Sequence, residues 1–327
     1  MLNATEQFRD AIQSAGLIPP EVIEPDGKLH RFASSGKHGD DAGWYALHDD
    51  GIPAGSFGDW RNGLSQTWRA DIGRKLTPAE DAAHRAKVEA MRRERDAEIA
   101  RERAAAADKA TGIWKAAKPA PGDHAYLLEK GIKSNGARLH GDALAIPMRD
   151  GGDIHSLQFI GPDGVKRFLT GGRVTGCYFS IGNPKGAVAL CIAEGFATGA
   201  TIHEATGYPV AVAFNAGNLG AVAKTLRGKF PDLPLILCGD FDKSGTGQKA
   251  ATEAAHSVGG LLALPDFTAD ELAGDKPPSD FNDLAQLRGG DAVARAIAGA
   301  AAPARAEHQP YKARRHTGGT LAAKKPQ

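Results

Sequence analysis

The chain has 327 residues, 42% hydrophobic and 24% charged, an ordinary globular composition long enough for two domains with a sizeable core. Forty Lys and Arg against 39 Asp and Glu leave a net charge of +1. That excludes a uniformly basic, histone-like protein but not a nucleic-acid binder whose charge is segregated along the chain. Cys177, Cys191 and Cys238 lie far apart with no C-x-x-C pair, which argues against a cysteine zinc ribbon or a disulfide framework. The N-terminal MLNATEQFRDAIQSAGL carries acids and lacks a long apolar core. No apolar run nears the roughly 20 residues of a membrane span, so a cytoplasmic protein without signal peptide or membrane partner is expected.

Residues 1–75 are predicted to form a small β-rich module. A short helix (residues 4–15) leads to Pro19-Pro20, and apolar and aromatic residues then recur between the turn signals Asp49-Asp50-Gly51, Pro53, Gly55 and Gly58. Residues 76–112 change character. Thr77-Pro78-Ala79-Glu80 reads as a capping box with proline at the first helical position, and the run after it interleaves both charge signs with few large apolar residues. A solvated linker helix is predicted. Residues 111–131, ending AYLLEKGI, read as a short helical hairpin closed by Gly131. Residues 113–186 as a whole are assigned to a small basic α+β subdomain, because ALAIPM, DIHSLQFI, KRFLT and CYFSIG are β-like runs separated by Gly- and Asp-rich turns.

From 187 to 300 apolar strands and helices alternate: AVALCIAE, GFATGATIHEAT, PVAVAF, AGNLGAVAKTLRGKF, PLILCGDFD, GTGQKAATEAAHSVG, GLLALP and a helical end. This predicts an α/β unit with a mostly parallel, doubly covered sheet, whose functional residues gather at the carboxyl ends of strands. The tail 301–327 carries six Lys/Arg against one Glu and is predicted to be disordered.

Three carboxylate motifs share the α/β unit: Glu194-Gly195, Asp240-Phe241-Asp242 and Asp280-Phe281-Asn282-Asp283. Alternation along a strand would turn Asp240 and Asp242 to one side, where both reach one hard cation. Carboxylate oxygens suit Mg²⁺ or Mn²⁺, and a divalent cation offsets the repulsion of gathered acids. A Glu opening a helix suits general acid or base work in phosphoryl chemistry, and Lys243 and Lys249 near the acids are candidate phosphate contacts.

IAEGFATGATIHEATG, AFNAGNL, LCGDFDKSGTGQKAA and SDFNDL together resemble the Toprim domain of bacterial-type primases, type IA and II topoisomerases and OLD-type nucleases, above all in phage- and plasmid-encoded primases. The resemblance covers residues about 120–298 with specific motifs, and 25–65 loosely. It implies a Rossmann-like Toprim fold, with Glu194 as general base or acid and Asp240 and Asp242 as Mg²⁺ ligands. Asp283, with Asp280, would complete the acidic centre. Bacterial primases often carry a further acid four residues after the Glu; Thr198 stands there in this chain. The β segment before the Toprim unit is similar to the subdomain that presents basic residues to template and nucleotide, which nominates Arg149, Lys166, Arg167 and Arg173.

Residues of the N-terminal module occupy the place of the primase zinc-binding module, but without cysteine and with His30, His38 and His48 at spacings that fit no zinc signature. No zinc is expected there, and Trp44, Trp60 and Arg61 are candidate single-strand contacts. The resemblance implies a DNA primase that makes short RNA primers on single-stranded DNA from NTPs. The sequence contains no G-x-x-x-x-G-K-[ST], which weakens an OLD-type nuclease and leaves a replicative helicase as a separate partner. The alternatives are a Toprim nuclease and a non-catalytic DNA-binding accessory.

Overall fold

The computed structural model describes residues 3–37, 39–59, 64–74, 76–242 and 244–303. The chain divides into two units, 1–97 and 98–327.

In the first unit Asn3 caps helix α1 (Ala4–Ser14). Its side chain accepts the Glu6 N–H at 2.8 Å, while the Glu6 carboxylate accepts the Asn3 N–H. Phe8 and Ile12, one turn apart, are fully buried. They share a core with Leu17, just after α1, and with Phe32, Tyr45, Leu47 and Phe57 of an antiparallel meander: β1 (His30–Phe32), β2 (Gly43–His48), β3 (Ala54–Asp59) and β4 (Leu64–Arg69). Trp44 pairs across the sheet with Gly58, and a Cβ added at Gly58 would lie 2.8 Å from the indole. The ring lies over that glycine and is only 6% exposed. The expectation that Trp44 offers a stacking face to a single strand is therefore corrected, since its burial stabilises the small sheet instead. Trp60 and Arg61 lie outside the described residues.

Helix α2 (Pro78–Ala116) opens with the expected capping box: Thr77 N–H donates to Glu80 Oε2 at 2.9 Å and Glu80 N–H to Thr77 Oγ1 at 3.3 Å. Its surface carries the pairs Arg85–Asp81, Arg93–Glu89 and Arg101–Glu98. Among its described side chains, the buried ones, Ala106 and Ala110, are in the last turns, in the second unit. There Ala110 packs with Ile154 and Leu157, flanked by Ile113 and Trp114.

The second unit holds two sheets. The antiparallel sheet runs in the order β5 (Lys118–Pro119), β6 (Arg138–His140), β7 (Ala143–Asp150), β8 (Asp153–Ile160) and β9 (Lys166–Phe168). No helical hairpin forms over 111–131. Helix α2 ends at Ala116, β5 follows, and only α3 (Ala125–Lys130) is helical. Pro119 and Pro121 account for the break, since proline lacks the N–H a helix needs. Gly131 does end α3, at φ +62°.

The other sheet has the order β10 (Phe179–Ile181), β12 (Val210–Val212), β11 (Leu190–Ala193), β13 (Leu235–Cys238) and β14 (Leu261–Ala263). Strand β10 is antiparallel to β12 and the other pairs are parallel. The strands are apolar because both faces are covered. On one face α5 (Leu219–Lys229) and α6 (Thr246–Val258) place Leu219, Val222, Leu226 and Ala251 over Ile192 and Leu237. On the other, α4 (Phe196–Thr206), α8 (Phe281–Arg288), which follows the single-turn α7 (Ala269–Leu272), and α9 (Gly290–Ala298) bury Phe196, Phe281, Leu284 and Val293 with Leu144, Ile146 and Met148 of β7. Gly199 lets α4 lie directly on β12, because a Cβ there would come within 2.7 Å of Val212. No helix among the described residues is long and apolar enough to cross a membrane.

Candidate active site at the carboxyl ends of the parallel strands

Glu194 follows the last residue of β11, in the turn that opens α4. Its carboxylate accepts the backbone N–H of Ala216, from the short 3₁₀ turn Ala216–Asn218 that follows β12. Burial raises its pKa, while Lys166 opposes the rise.

Strand β13 stops at Cys238, so Asp240 and Asp242 lie in the loop beyond it. The expectation that strand alternation turns both to one side is therefore corrected. Asp242 is bound to the start of α6: Oδ1 accepts Ser244 Oγ–H at 2.8 Å and Thr246 N–H at 3.1 Å, and Oδ2 accepts Gly247 N–H at 3.1 Å. Those donors, the Gly247 amide foremost, lower its pKa. Asp240 has no such support. Its Oδ1 is buried without a hydrogen-bond partner. Burial, followed by the nearby charges of Asp280 and Glu194, pushes its carboxyl up to about 8.

Asp280 is the N-cap of α8, its Oδ1 accepting Asp283 N–H at 2.9 Å. Its Oδ2 accepts the hydroxyl of Thr198 at 3.1 Å, across 82 residues of sequence. Burial raises its pKa. Asp283 accepts Ser279 N–H at 2.8 Å and so shapes the loop that carries Asp280.

The structure thus brings together Glu194, Asp240 and Asp280 as mutually repelling acids, with Asp242 at the edge and Asp283 behind. Lys166 of β9 reaches the same place, its charge attracting Glu194 and Asp240; a Cβ added at Gly195 would lie 4.0 Å from its Nζ. An orphaned, buried carboxylate oxygen facing further acids is costly unless a cation or a proton neutralises it. The donor set is all oxygen, which fits Mg²⁺ or Mn²⁺. Among the described residues no three of these acids bring their oxygens within 4.8 Å of one another. A cation of this kind takes one or two carboxylates, with water and substrate phosphate as its other ligands.

The other candidates lie elsewhere. Arg149 lies over the Trp114 ring at 5.7 Å and donates to Gly152 O, with Arg138 over the same ring at 4.4 Å. Arg173 pairs with Asp150 at 2.9 Å. Arg167 is exposed on β9. Lys249 is on α6, where its ammonium faces Glu253 at 3.9 Å, one turn on. Lys243 lies outside the described residues.

Sequence reasoning misses three supports of the site: the Ala216 amide, the Thr198 hydroxyl, and Asn218. Asn218 is buried and its Nδ2 serves the carbonyls of Val174, Cys177 and Ala213. The only signal for it is the run AFNAGNL, which shows that a tight turn follows β12 but not what the turn holds.

Residues 189–291 match the Toprim domain family, so the α/β unit is a Toprim domain. Over 297 residues the chain is 36% identical to DNA primase TraC of Escherichia coli, covering 84% of this chain and 28% of that protein. A second Escherichia coli DNA primase TraC is 33% identical over 343 residues, covering 97% of this chain and 24% of that one. The chain spans about a quarter of the length of these curated relatives. Among solved structures it is similar to the DnaG primase catalytic domain bound to ssDNA, at 12% identity and a TM-score of 0.43, over 62% of this chain and 80% of that one.

Proposed function

We propose that this chain is a DNA primase that joins ribonucleoside triphosphates into short primers on single-stranded DNA. The observation that carries this reading is the buried Asp240 Oδ1, without a hydrogen-bond partner, among Glu194 and Asp280, with Lys166 facing them. Similarity to curated DNA primases supports it. Asp240 and Asp242 would hold Mg²⁺ or Mn²⁺, with Asp280 and Asp283 completing the acidic centre. The cation would stabilise charge developing on the α-phosphate and on the leaving pyrophosphate.

The chain's own residues supply the rest of the chemistry. Glu194, whose carboxyl pKa burial raises, accepts as carboxylate the proton of the attacking 3′ hydroxyl. The Ala216 amide fixes that carboxylate, and the Lys166 ammonium neutralises substrate phosphate. Arg149, Arg167 and Arg173 offer positive charge to the template backbone, whose phosphates are the natural partners of such a face. Strand opening is assigned to a helicase outside these 327 residues, and the reaction to the cytoplasm of a cell carrying a plasmid or phage replicon.

The test incubates the protein with single-stranded DNA, labelled NTPs and Mg²⁺ or Mn²⁺, beside an Asp240→Ala/Asp242→Ala variant. Short labelled oligomers from the wild type alone support the reading. Template degradation without oligomers replaces it with a nuclease. Neither product, with a helicase supplied, replaces it with a non-catalytic DNA-binding accessory.

A further inference from the structure

Strand β9 pairs with β8 through Ile160↔Lys166, Phe159↔Arg167 and Gln158↔Phe168. Alternation puts Lys166 and Phe168 on one face of that strand and Arg167 on the other. Lys166 is the cation that faces Glu194 and Asp240. Phe168, two residues on, keeps 41% of its surface open. Its ring meets that of Phe214 edge-to-face, with centroids 6.5 Å apart and planes at 78°.

Phe214 is itself unusual. It is buried, and its φ of +73° lies in the left-handed region, which a bulky aromatic residue rarely enters. Such backbone is strained and persists where surrounding structure holds it. Here the strained residue stands between β12 and the Ala216 amide that binds Glu194. One short segment therefore sets both the Glu194 carboxylate and the aromatic neighbour of Phe168. A lone exposed phenylalanine needs no explanation. This one is propped by a strained neighbour and shares a strand face with the cation at the acidic centre.

We propose that Phe168 is the stacking platform for the base of the incoming nucleoside triphosphate, which places the triphosphate toward Lys166 and the acids. This inference rests on the primase reading and adds to it the group that recognises the base. Stacking accepts every base, because each has a π-face. Phe168 thus supplies affinity without sequence preference, as a positioning residue.

The test is calorimetric titration of the full chain in Mg²⁺ with ATP, with inorganic tripolyphosphate, which lacks the base, and with oligo(dT). The wild type is expected to bind ATP more tightly than tripolyphosphate. Phe168→Ala is expected to weaken ATP about tenfold or more while leaving tripolyphosphate and oligo(dT) unchanged. CTP, GTP and UTP should follow ATP. Phe168→Leu, which keeps an apolar contact with Phe214 but has no π-face, should behave like Phe168→Ala with an unchanged melting temperature. Phe168→Tyr should behave as wild type. Equal loss of ATP and tripolyphosphate overturns the proposal, as does a loss confined to oligo(dT), which would make Phe168 a template contact. It is equally overturned if Phe241→Ala, at the other exposed ring beside the acids, removes the base-dependent increment in its place. In those cases wild-type primer synthesis persists and the primase reading stands. A wild type that binds neither ATP nor tripolyphosphate and makes no primers overturns both.

Discussion

Asp240→Asn is expected to lower metal-dependent nucleotidyl transfer about a thousandfold or more and, at the same time, to stabilise the metal-free protein. The first effect follows from losing the carboxylate best placed to hold the cation. Lewis-acid stabilisation is worth several kcal/mol, and each factor of ten in rate is about 1.4 kcal/mol. The second follows from the geometry. Asp240 Oδ1 is buried and partnerless, and burial together with Asp280 and Glu194 raises its carboxyl from 3.8 to about 8. The folded state thus favours the neutral acid. That contribution to stability is whole below about pH 4 and is lost as pH rises through about 8. Metal-free wild type should therefore lose stability across this window, whereas the asparagine, with no proton to lose, should not. A cation that takes the proton's place reverses the trend, so the rise in wild-type melting temperature on adding Mg²⁺ should grow from about pH 6 to about pH 9 and vanish in the variant. Thermal melts with Mg²⁺ or EDTA at several pH values measure this. A variant that melts below wild type in EDTA at high pH, or an equal Mg²⁺ shift in both proteins, would sink the argument.

Asn218→Ala is expected to destabilise the second unit by about 3 kcal/mol. The side chain is 3% exposed. Its Nδ2 donates to Cys177 O at 2.9 Å and Ala213 O at 2.8 Å, with Val174 O at 3.2 Å, and its Oδ1 accepts Gly176 N–H at 2.7 Å. Truncation removes this partner from the carbonyls of Cys177 and Ala213 and from the Gly176 N–H, while Val174 O keeps the Cys177 N–H, at about 1–3 kcal/mol for each group left wholly unsatisfied. The melting temperature should fall by roughly 5–10 °C. Asn218→Asp, which keeps an acceptor but loses the donors, should be at least half as damaging. A loss under about 1 kcal/mol would show that water replaces the amide. Because Ala213 leads directly into Phe214 and Ala216, the variant should also loosen the turn that fixes Glu194.

The Toprim sheet is legible in the sequence because parallel strands covered on both faces must be continuous apolar runs, as in Leu190–Ala193 and Leu235–Cys238. The acids announce themselves by following such runs. Where a strand ends is less legible. Cys238 and Asp240 are two residues apart, yet only the first lies in the sheet, so an alternation argument carried past Gly239 fails. Composition also cannot separate a stacking aromatic from a core one. Trp44 pairs with a glycine across the sheet, a contact set by register rather than by neighbours in sequence. The same holds for Thr198 and Asp280, 82 residues apart. It holds for Lys166 too, whose approach to Glu194 depends on the packing of one sheet's edge against the other's strand ends.

The most direct measurement is formation of the first phosphodiester bond. Protein, a single-stranded DNA template, two NTPs and Mg²⁺ are mixed, and dinucleotide and pyrophosphate are quantified together. Under the primase reading, wild type is expected to give equal amounts of both, and Asp240→Asn neither. Wild-type protein that binds Mg²⁺ and NTPs on a template yet forms no dinucleotide would contradict it.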